Sequence, residues 1–381
     1  MADDGRAEMM AGEVMMEKLS IVDGEEYTDF LIEAYKDQFH AGMFRDRKKV
    51  KDRWLWEYVQ NPAPADGKPL IWILRIGGKI AGQMCVMPVT LNIFGRPYKA
   101  GWCQDFIVLP GHRKKGMGYS IVKQVTEQSG KYVEMLLAIV ASEASYRIFS
   151  KASYIDAGFM DRAVIISNPG NFSGAVTGNA ALRIPLRLAA GAVFGVSGIA
   201  GSLLARGDVE VAQYSGTPGE LDALCSEVSR DLPLSIRRSG DFISWRFVDE
   251  PRGGYKIFVG RSKEGVRGYL ALREEEVSRG RLNGLKAGII SDILCDPEDR
   301  RTAQALLGAA IGYFKGRVDI IRSDFLGPRL RSAFRLAGFI DMASRNRFYA
   351  APLSGELRAK GADFFKRGWC LTRGDSDLDL F

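Results

Sequence analysis

Apolar residues in the first 166 positions alternate between helical and strand spacing. YTDFLIEAYKDQF and RWLWEYVQNP have helical spacing, and Pro62 ends the second segment. LIWILRIGGKIAGQMCVMPV predicts two strands joined at Gly77 and Gly78, followed by a hairpin in VTLNIFGRPYKAG and a buried strand in WCQDFIVLP. Helix and strand patterns then alternate through YSIVKQVTEQSGK, VEMLLAIV, SEASYRIFSKAS and FMDRAVIIS. This order predicts an α/β (α+β) fold on a mixed sheet.

The pattern changes between residues 167 and 207. SNPGNFSGAVTGNA predicts a loop, and residues 188–205 form an uncharged, glycine-rich apolar run of 18 residues. A run of this length raises three readings: a membrane span, a segment on a membrane surface, and an interdomain helix buried against its neighbours. We favour the third, because a single span would leave the two halves on opposite sides of a bilayer.

A tryptophan-to-proline spacing occurs in both halves. Trp56 precedes Pro62 by six positions in WEYVQNP, and Trp245 precedes Pro251 by six in WRFVDEP. We interpret these tryptophans, together with Trp54, as core anchors.

An aspartate-to-proline spacing repeats with nearly the same offset. Asp105 precedes Pro110 by five positions, and Asp292 precedes Pro297 by five. The offset between the halves is 189 residues for the tryptophans and 187 for the aspartates. Spacing conserved at such an offset predicts two copies of one fold.

Five segments follow from these patterns. They are a mobile N-terminal lead-in (1–16), a first domain (17–166), an apolar interdomain segment (167–207), a second domain (208–352) and a C-terminal extension (353–381). The final residues, RGDSDLDLF, predict a short acidic tail in solvent.

Composition indicates only the broad class of the ligand and the compartment. The net charge of +7 favours anionic ligands. The five cysteines contain no CxxC pair, and His40 and His112 fit no metal pattern, so we expect neither disulfides nor a metal. The N-terminus has acidic residues where a signal peptide needs basic ones, which predicts a cytoplasmic protein.

The stretch PGHRKKGMG, residues 110–118, predicts an anion site. A strand precedes it and a helix follows it, so unpaired backbone N–H groups at the helix start would point at one spot, where glycine lets a diphosphate approach. Arg113 can grip a phosphate with two hydrogen bonds. The chain lacks GxxxxGK[ST] and GxGxxG, which argues against a Walker loop and a Rossmann site.

DFIVLPGHRKKGMGYSIV resembles motif A of the GNAT acyltransferases, whose signature [RQ]xxGx[GA] follows a V-x-P strand end. Arg113, Gly116 and Gly118 supply the signature after Val108 and Pro110, and SEASYRIFSKASY resembles the next helix of the family. The resemblance covers residues 20–165 well and 208–350 weakly. It implies two GNAT-like domains in tandem, each a mostly antiparallel, splayed sheet flanked by helices.

The resemblance also implies acetyl-coenzyme A, or another acyl-CoA, as co-substrate. Pantetheine would pair with the backbone of the strand end, and the diphosphate would lie on the loop and helix start. By similarity the binding residues are Ile107, Val108, Leu109, Arg113, Lys114, Lys115, Gly116, Met117, Gly118 and Tyr119.

Catalytic groups follow the family pattern only in part. Asp105 corresponds to a carboxylate that many members use as general base, although Asp292 at the equivalent place in the second copy also allows a structural role. The tyrosine that protonates the departing thiolate in the family corresponds to Phe149, and Tyr146 on the same helical face is the candidate substitute.

The second copy lacks the glycines of the motif. PEDRRTAQA has Ala303 and Ala305 at those positions, and Glu298 and Asp299 add negative charge. We therefore expect this copy not to bind coenzyme A and to complete the acceptor cleft instead.

The leading functional reading is an acetyl-CoA-dependent N-acetyltransferase that acts on a small-molecule amine, such as an amino sugar or an envelope or polysaccharide precursor. One alternative is a Fem-like aminoacyl transferase that uses charged tRNA, although nucleic acid is not the partner we expect. Another is a non-catalytic acyl-CoA sensor or interaction protein, which the loss of the family tyrosine at Phe149 allows. A membrane-surface contact through residues 188–205 stays open.

Overall fold

The computed structural model describes residues 14–19, 24–36, 44–63, 69–113, 116–177, 182–185, 188, 208–278 and 280–379. Residues 1–13 of the lead-in, Lys114, Lys115, His40 and most of the apolar run 188–205 lie outside these ranges, whereas residues 14–16 of the lead-in belong to a strand. No helix among the described residues is long and apolar enough to cross a membrane.

The described residues form a large mixed sheet flanked by helices. Its strands are β1 (Val14–Lys18), β2 (Ile71–Ile76), β3 (Lys79–Ile93), β4 (Arg96–Val108), β5 (Met135–Val140), β6 (Ile155–Phe159), β7 (Asp161–Ile166), β8 (Glu210–Gln213), β9 (Leu234–Ile236), β10 (Lys256–Ser262), β11 (Gly265–Glu276), β12 (Lys286–Cys295), β13 (Ile320–Leu326), β14 (Ile340–Met342), β15 (Arg347–Pro352) and β16 (Trp369–Thr372).

The helices lie against this sheet. They are α1 (Gly24–Tyr35), α2 (Arg47–Tyr58), α3 (Met117–Ser129), α4 (Glu143–Lys151), α5 (Pro169–Val176), α6 (Asp222–Asp231), α7 (Gly240–Ile243), α8 (Arg300–Phe314), α9 (Pro328–Leu336) and α10 (Gly355–Ala359).

The predicted elements of the first half are present, although the two arms of the predicted hairpin are continuous with the strands before and after it. β2 and β3 pair antiparallel through a turn at Gly77 and Gly78, both with positive φ, which glycine adopts without a Cβ clash. β3 and β4 form the next hairpin. α2 begins where the Asp46 side chain accepts hydrogen bonds from two backbone N–H groups and ends before Pro62. The prediction of an α/β fold on a mixed sheet is confirmed.

The two halves share one continuous sheet and exchange strands. The main path runs β6-β15-β5-β4-β3-β9-β16-β13-β12-β11-β10-β8. β15, from the second half, pairs with β5 and β6, whereas β7, from the first half, pairs with β13 and β14. Strand pairing therefore crosses the expected boundary at residue 166, although the division into five segments stays a prediction.

A stacked tryptophan pair joins the halves. The rings of Trp56 and Trp245 lie 4.8 Å apart at 20°, and each indole Nε1 donates to the other's backbone carbonyl, at 2.8 and 2.9 Å. Both side chains, and that of Trp54, are buried. Their prediction as core anchors is confirmed.

The predicted loop at 167–180 is wrong in part, because residues 169–176 form α5. Asn168 caps this helix by accepting from the Asn171 N–H, and Pro169 occupies its first turn. Glycine and asparagine are typical of loops, but at a helix start asparagine and proline favour the helix.

The prediction of a solvated acidic tail is also wrong. Asp375 and Asp379 are buried. Arg238 pairs with Asp375 at 2.9 Å, and Arg373 pairs with Asp379 at 2.9 Å. The tail is acidic because it neutralises arginines inside the protein, which no local pattern reveals.

Candidate active site

A fork opens between β4 and β5. Only Ala100–Cys103 of β4 pair with Met135–Ala138 of β5, in a parallel arrangement. β4 nevertheless continues to Val108 and β5 to Val140. β4 stays paired with β3 as far as Val108. The ends of β4 and β5 therefore diverge, and an extended ligand could contact main chain between them.

The segment after β4 turns sharply before α3. Pro110–His112 form one turn of 3₁₀ helix, and the Arg113 Nε donates to the Val108 carbonyl at 2.8 Å. Gly116 then begins α3 with φ of 76°. The first backbone N–H groups of a helix have no partner within it, so this start offers several donors to an anion.

The two glycines of the motif are required for different structural reasons. Gly116 has a left-handed backbone, and a Cβ added there would meet nothing within 4 Å. A Cβ on Gly118 would lie 3.1 Å from Ile148 Cδ1 and 3.2 Å from Phe106 Cζ. Gly116 thus keeps the helix start bare, whereas Gly118 lets α3 pack closely on α4 and β4.

Positive side chains surround this helix start. Arg113 lies on the loop, and Lys151 at the end of α4 places its Nζ 4.5 Å from the centre of the Tyr119 ring. The sequence pattern does not indicate Lys151, because only the packing of α4 beside α3 brings it near the motif. Of the predicted site residues, Lys114 and Lys115 lie outside the described residues.

An open cleft of about 530 Å³ adjoins the loop. It is lined by Leu109–Arg113 and by Glu33, Ala34 and Lys36 at the end of α1. A carboxylate and an ammonium group thus lie on the wall opposite the loop. Neither was marked by the sequence pattern.

Tyr146 lies on α4 beside residues of the second half. Its hydroxyl donates to the backbone carbonyl of Arg345, and the Arg347 guanidinium lies 5.7 Å from the centre of its ring. The neighbouring Phe149 is buried against Tyr154 and Tyr349. Residues almost 200 positions away thus complete this side of the site.

Asp105 lies in a buried network on β4. Its carboxylate accepts from the Tyr35 hydroxyl at 2.9 Å, the Tyr58 hydroxyl at 2.8 Å and the Arg53 Nη2 at 3.0 Å. Its backbone has φ of 47°, in the left-handed region that aspartate tolerates better than most residues. Three donors thus satisfy this carboxylate inside the protein.

Asp292 has a matching environment on β12. It accepts from the Arg238 Nη2 at 2.9 Å, the Thr372 hydroxyl at 2.7 Å and the Tyr269 hydroxyl at 2.5 Å. An arginine and a tyrosine therefore bind the aspartate in each half. This likeness supports the structural alternative for Asp105, and its catalytic role stays a prediction.

Glu57 shares Arg53 with Asp105. Its Oε2 lies 2.9 Å from the Arg53 Nη2, and its side chain is fully buried. Burial raises the pKa of Glu57 to about 8, although the Arg53 charge opposes this. Burial, together with the nearby Asp105 charge, therefore favours the protonated form of Glu57.

The helix start in the second half is built differently. The Asp299 carboxylate caps α8 by accepting from the Thr302 N–H at 3.0 Å. It also pairs with Arg267 at 3.3 Å. A carboxylate thus occupies the place where the first half has bare Gly116.

Titratable side chains that could hold a metal are not clustered among the described residues. The described site offers backbone donors, cations and an extended strand edge instead. Such an arrangement suits an elongated ligand that carries a diphosphate.

Residues 18–154 match the family described as an acetyltransferase (GNAT) domain. No curated protein matches the sequence significantly.

Solved structures share the fold over most of the chain. A GCN5-related N-acetyltransferase from Anabaena variabilis is 11% identical with a TM-score of 0.59, and the match covers 90% of this chain and 73% of that one. A probable N-acyltransferase from Enterococcus faecalis is 14% identical with a TM-score of 0.57, and the match covers 90% of this chain and 72% of that one. Saccharomyces cerevisiae N-myristoyltransferase with bound myristoyl-CoA is 11% identical with a TM-score of 0.54, and the match covers 88% of this chain and 82% of that one.

These identities are low, so the likeness to the solved structures shows the fold alone, and the family match concerns residues 18–154. Residues 18–154 thus match a GNAT acetyltransferase domain, and this match together with the shared fold supports acyltransferase activity.

Proposed function

We propose that this protein is an acyl-CoA-dependent N-acyltransferase whose first half binds the coenzyme and whose acceptor is a small-molecule amine. The observation that carries the proposal is the bare helix start at Gly116, beside the fork between β4 and β5. When bound, the coenzyme would supply an acyl group activated as a thioester.

The described residues fit this ligand in two respects. The left-handed Gly116 leaves open space at the N-terminus of α3, where backbone N–H groups and Arg113 could bind a diphosphate. The diverging ends of β4 and β5 leave main-chain groups of Ile107, Val108 and Leu109 for an amide-bearing arm. Met117, Gly118 and Tyr119 complete the proposed seat, and Lys114 and Lys115 belong to it by sequence.

The chain's own residues would chiefly position the reactants. Holding an amine beside a thioester lowers the activation barrier of acyl transfer. The entropy cost of bringing the two reactants together is then met by binding and no longer by the reaction step. We keep Asp105 as the proposed base and Tyr146 as the proposed proton donor. In the structure Asp105 is bound by three donors and the Tyr146 hydroxyl is engaged by the Arg345 carbonyl, so each would have to exchange a partner to act.

We further propose that the second half is a degenerate GNAT copy. The matched surroundings of Asp105 and Asp292 support this, as does the Trp56–Trp245 pair. The Asp299 cap would repel a diphosphate at the second helix start. Acetyl-CoA as donor, an amino sugar or envelope precursor as acceptor, and a cytoplasmic location remain predictions at this level.

The test is calorimetric titration with acetyl-CoA and with a longer acyl-CoA. We expect saturable binding to the intact protein and at least tenfold weaker binding to Gly116→Trp, because the indole would fill the diphosphate seat. Gly284→Trp is the matched control, since Gly284 also has positive φ and open space but lies on a turn of the second half. Equal binding by both variants would refute the site.

A non-catalytic acyl-CoA sensor is the second candidate, because Phe149 is buried where the family has a tyrosine. Coenzyme release can be followed with a thiol reagent in the presence of a panel of amino sugars and other amines. Turnover with any amine supports the enzyme. Binding without turnover, together with unchanged binding by Tyr146→Phe, supports the sensor.

A further inference from the structure

A second fork opens in the sheet of the second half. Only Ala287–Ile289 of β12 pair with Ile320–Arg322 of β13, in a parallel arrangement. β12 nevertheless continues to Cys295 and β13 to Leu326. β16 pairs with the end of β13, at Phe325 and Leu326. The ends of β12 and β13 therefore diverge as those of β4 and β5 do, but here β16 lies beside β13 within the gap.

A cavity of about 260 Å³ lies at this fork. Its wall combines the end of β12, the first turns of α8, the N-terminal part of α9 and β16. Apolar side chains form most of the lining, among them Leu294, Leu307, Leu330, Phe334 and Trp369.

The cavity is unsuited to a coenzyme diphosphate. Asp299 caps the helix that begins beside it, and Glu298 forms an ion pair with Arg329 at 2.6 Å on the rim. The apolar interior offers few partners for a polar arm, and burying an amide without hydrogen bonds is costly. The ligand that fits must therefore be mostly hydrocarbon.

We propose that this cavity binds an unbranched aliphatic chain, at a site separate from the acyl-CoA seat of the first half. An apolar protein cavity of about 150 Å³ holds a benzene ring, so a cavity of about 260 Å³ has room for roughly ten carbon atoms. Contact with apolar walls drives binding of such a chain.

The rim selects against a negative head group. Asp231 and Asp296 lie among the lining residues, and the rim arginine, Arg329, is paired with Glu298. The carboxylates thus outnumber the arginine at the mouth. A neutral or cationic head is favoured over a carboxylate.

Calorimetric titration of the whole protein with 1-hexanol, 1-octanol, 1-decanol and 1-dodecanol tests the capacity of the cavity. We expect the affinity to rise roughly threefold to fourfold for each added methylene, as burial of hydrocarbon requires, and to level off near ten carbons. Decylamine should bind at least as well as 1-decanol, and decanoate more weakly. Absence of binding, or affinity independent of chain length, would overturn the proposal.

A cavity-filling variant locates the site. Ala333 lines the cavity from α9, so the Ala333→Phe ring should weaken 1-decanol binding at least tenfold. Ala223→Phe is the control, because Ala223 is exposed on α6 and is not among the lining residues. Unchanged 1-decanol binding by a folded Ala333→Phe protein would contradict the assignment.

Two thiols provide a second measurement on the unmodified protein. Cys295 and Cys370 both line the cavity, and burial raises their pKa values to about 12 and about 11. Only a small fraction of each thiol is ionised at pH 9, so a small alkylating reagent should modify both slowly, and saturating 1-decanol should slow this at least fivefold further. Alkylation of both thiols at an unchanged rate would contradict the proposal even if Ala333→Phe fails to fold.

The two ligand sites can be separated. Gly116→Trp should keep 1-decanol binding, and Ala333→Phe should keep acyl-CoA binding. Loss of 1-decanol binding in Gly116→Trp would place the chain in the first fork and overturn the proposal. Failure of acyl-CoA binding in the unmodified protein would refute the proposed function and leave the aliphatic site standing.

Discussion

Asp105 is held by one arginine and two tyrosines, and Asp292 by an arginine, a tyrosine and a threonine. The two carboxylates therefore provide matched variants. If both are structural, Asp105→Asn and Asp292→Asn should each destabilise the fold by about 2–3 kcal/mol, because each leaves a buried arginine with less compensation.

The same pair tests catalysis. A structural Asp105 predicts that both variants keep kcat once the folded fraction is taken into account. Loss of kcat in Asp105→Asn alone, with acyl-CoA affinity unchanged, would show instead that Asp105 acts in the reaction. Chemical unfolding and steady-state kinetics on the same samples separate these outcomes.

Glu57 makes stability depend on pH. Burial raises its pKa from 4.5 to about 8, so the folded protein holds a proton that the unfolded chain releases. Its contribution is fully present below pH 4.5 and is lost as the pH rises through 8. We expect the Tm of the unmodified protein to fall between pH 6 and 9 by several degrees, equivalent to roughly 2–3 kcal/mol.

Glu57→Gln should make that fall smaller, since the amide is neutral at every pH and keeps nearly the same shape. Thermal unfolding at pH 6, 7, 8 and 9 is the measurement. Glu33→Gln serves as control, because Glu33 is an exposed partner of Lys36. Parallel Tm curves for the protein and Glu57→Gln would show that Glu57 is ionised when folded.

At the scale of elements, the halves are joined by side chains as well as by strands. Trp56 and Trp245 exchange hydrogen bonds between indole N–H groups and backbone carbonyls. We expect Trp56→Phe and Trp245→Phe each to cost about 1–2 kcal/mol, because each leaves a buried carbonyl without its donor.

The double variant should cost less than the sum, because the first substitution already loosens the stack on which the second bond depends. Chemical unfolding of the four proteins gives the coupling energy. Trp72→Phe provides the comparison, because the Trp72 Nε1 donates to Gln128 within the first half, in another core cluster. Strict additivity of Trp56 with Trp245 would show that the contact does not couple the halves.

The loop regions show how far sequence patterns extend at this scale. Hairpins and long helices of the first half follow from residue spacing, because their pairing partners are neighbours along the chain. The sequence of α5 predicts a loop because asparagine, proline and glycine are typical of loops, although Asn168 and Pro169 are also favourable at a helix start. The acidic tail was misjudged because its arginine partners are distant in sequence.

At the scale of the whole molecule, strand exchange makes the halves depend on each other. β5, one arm of the candidate coenzyme fork, is paired on its other side with β15 from the second half. The main core cluster also contains residues of both halves, including Trp102 and Phe348. We therefore expect one cooperative unfolding transition.

Phe314→Ala tests this dependence, because Phe314 is fully buried in the second half. Removing its ring should cost about 3–5 kcal/mol. The free energy of opening measured by amide hydrogen exchange should then fall by the same amount in α3, in the first half, as in α8. Phe94→Ala is the control, since that side chain is 61% exposed. Unchanged exchange in α3 would mean that the halves unfold independently.

The sequence by itself determined the α/β class, the elements of the first half, and a bare, positively charged loop at a helix start. These depend on spacing, glycine and charge within short segments, where local sterics and hydrogen bonding decide the outcome. The sequence also indicated the repeat through offsets of 189 and 187 residues.

Only the tertiary structure decided the exchange of β7 and β15, the burial of the acidic tail, the surroundings of Asp105 and Tyr146, and the cavity at the second fork. Each arises from contacts between residues far apart along the chain, which are selected by packing and by the need to pair buried charges. Local patterns carry no record of those partners.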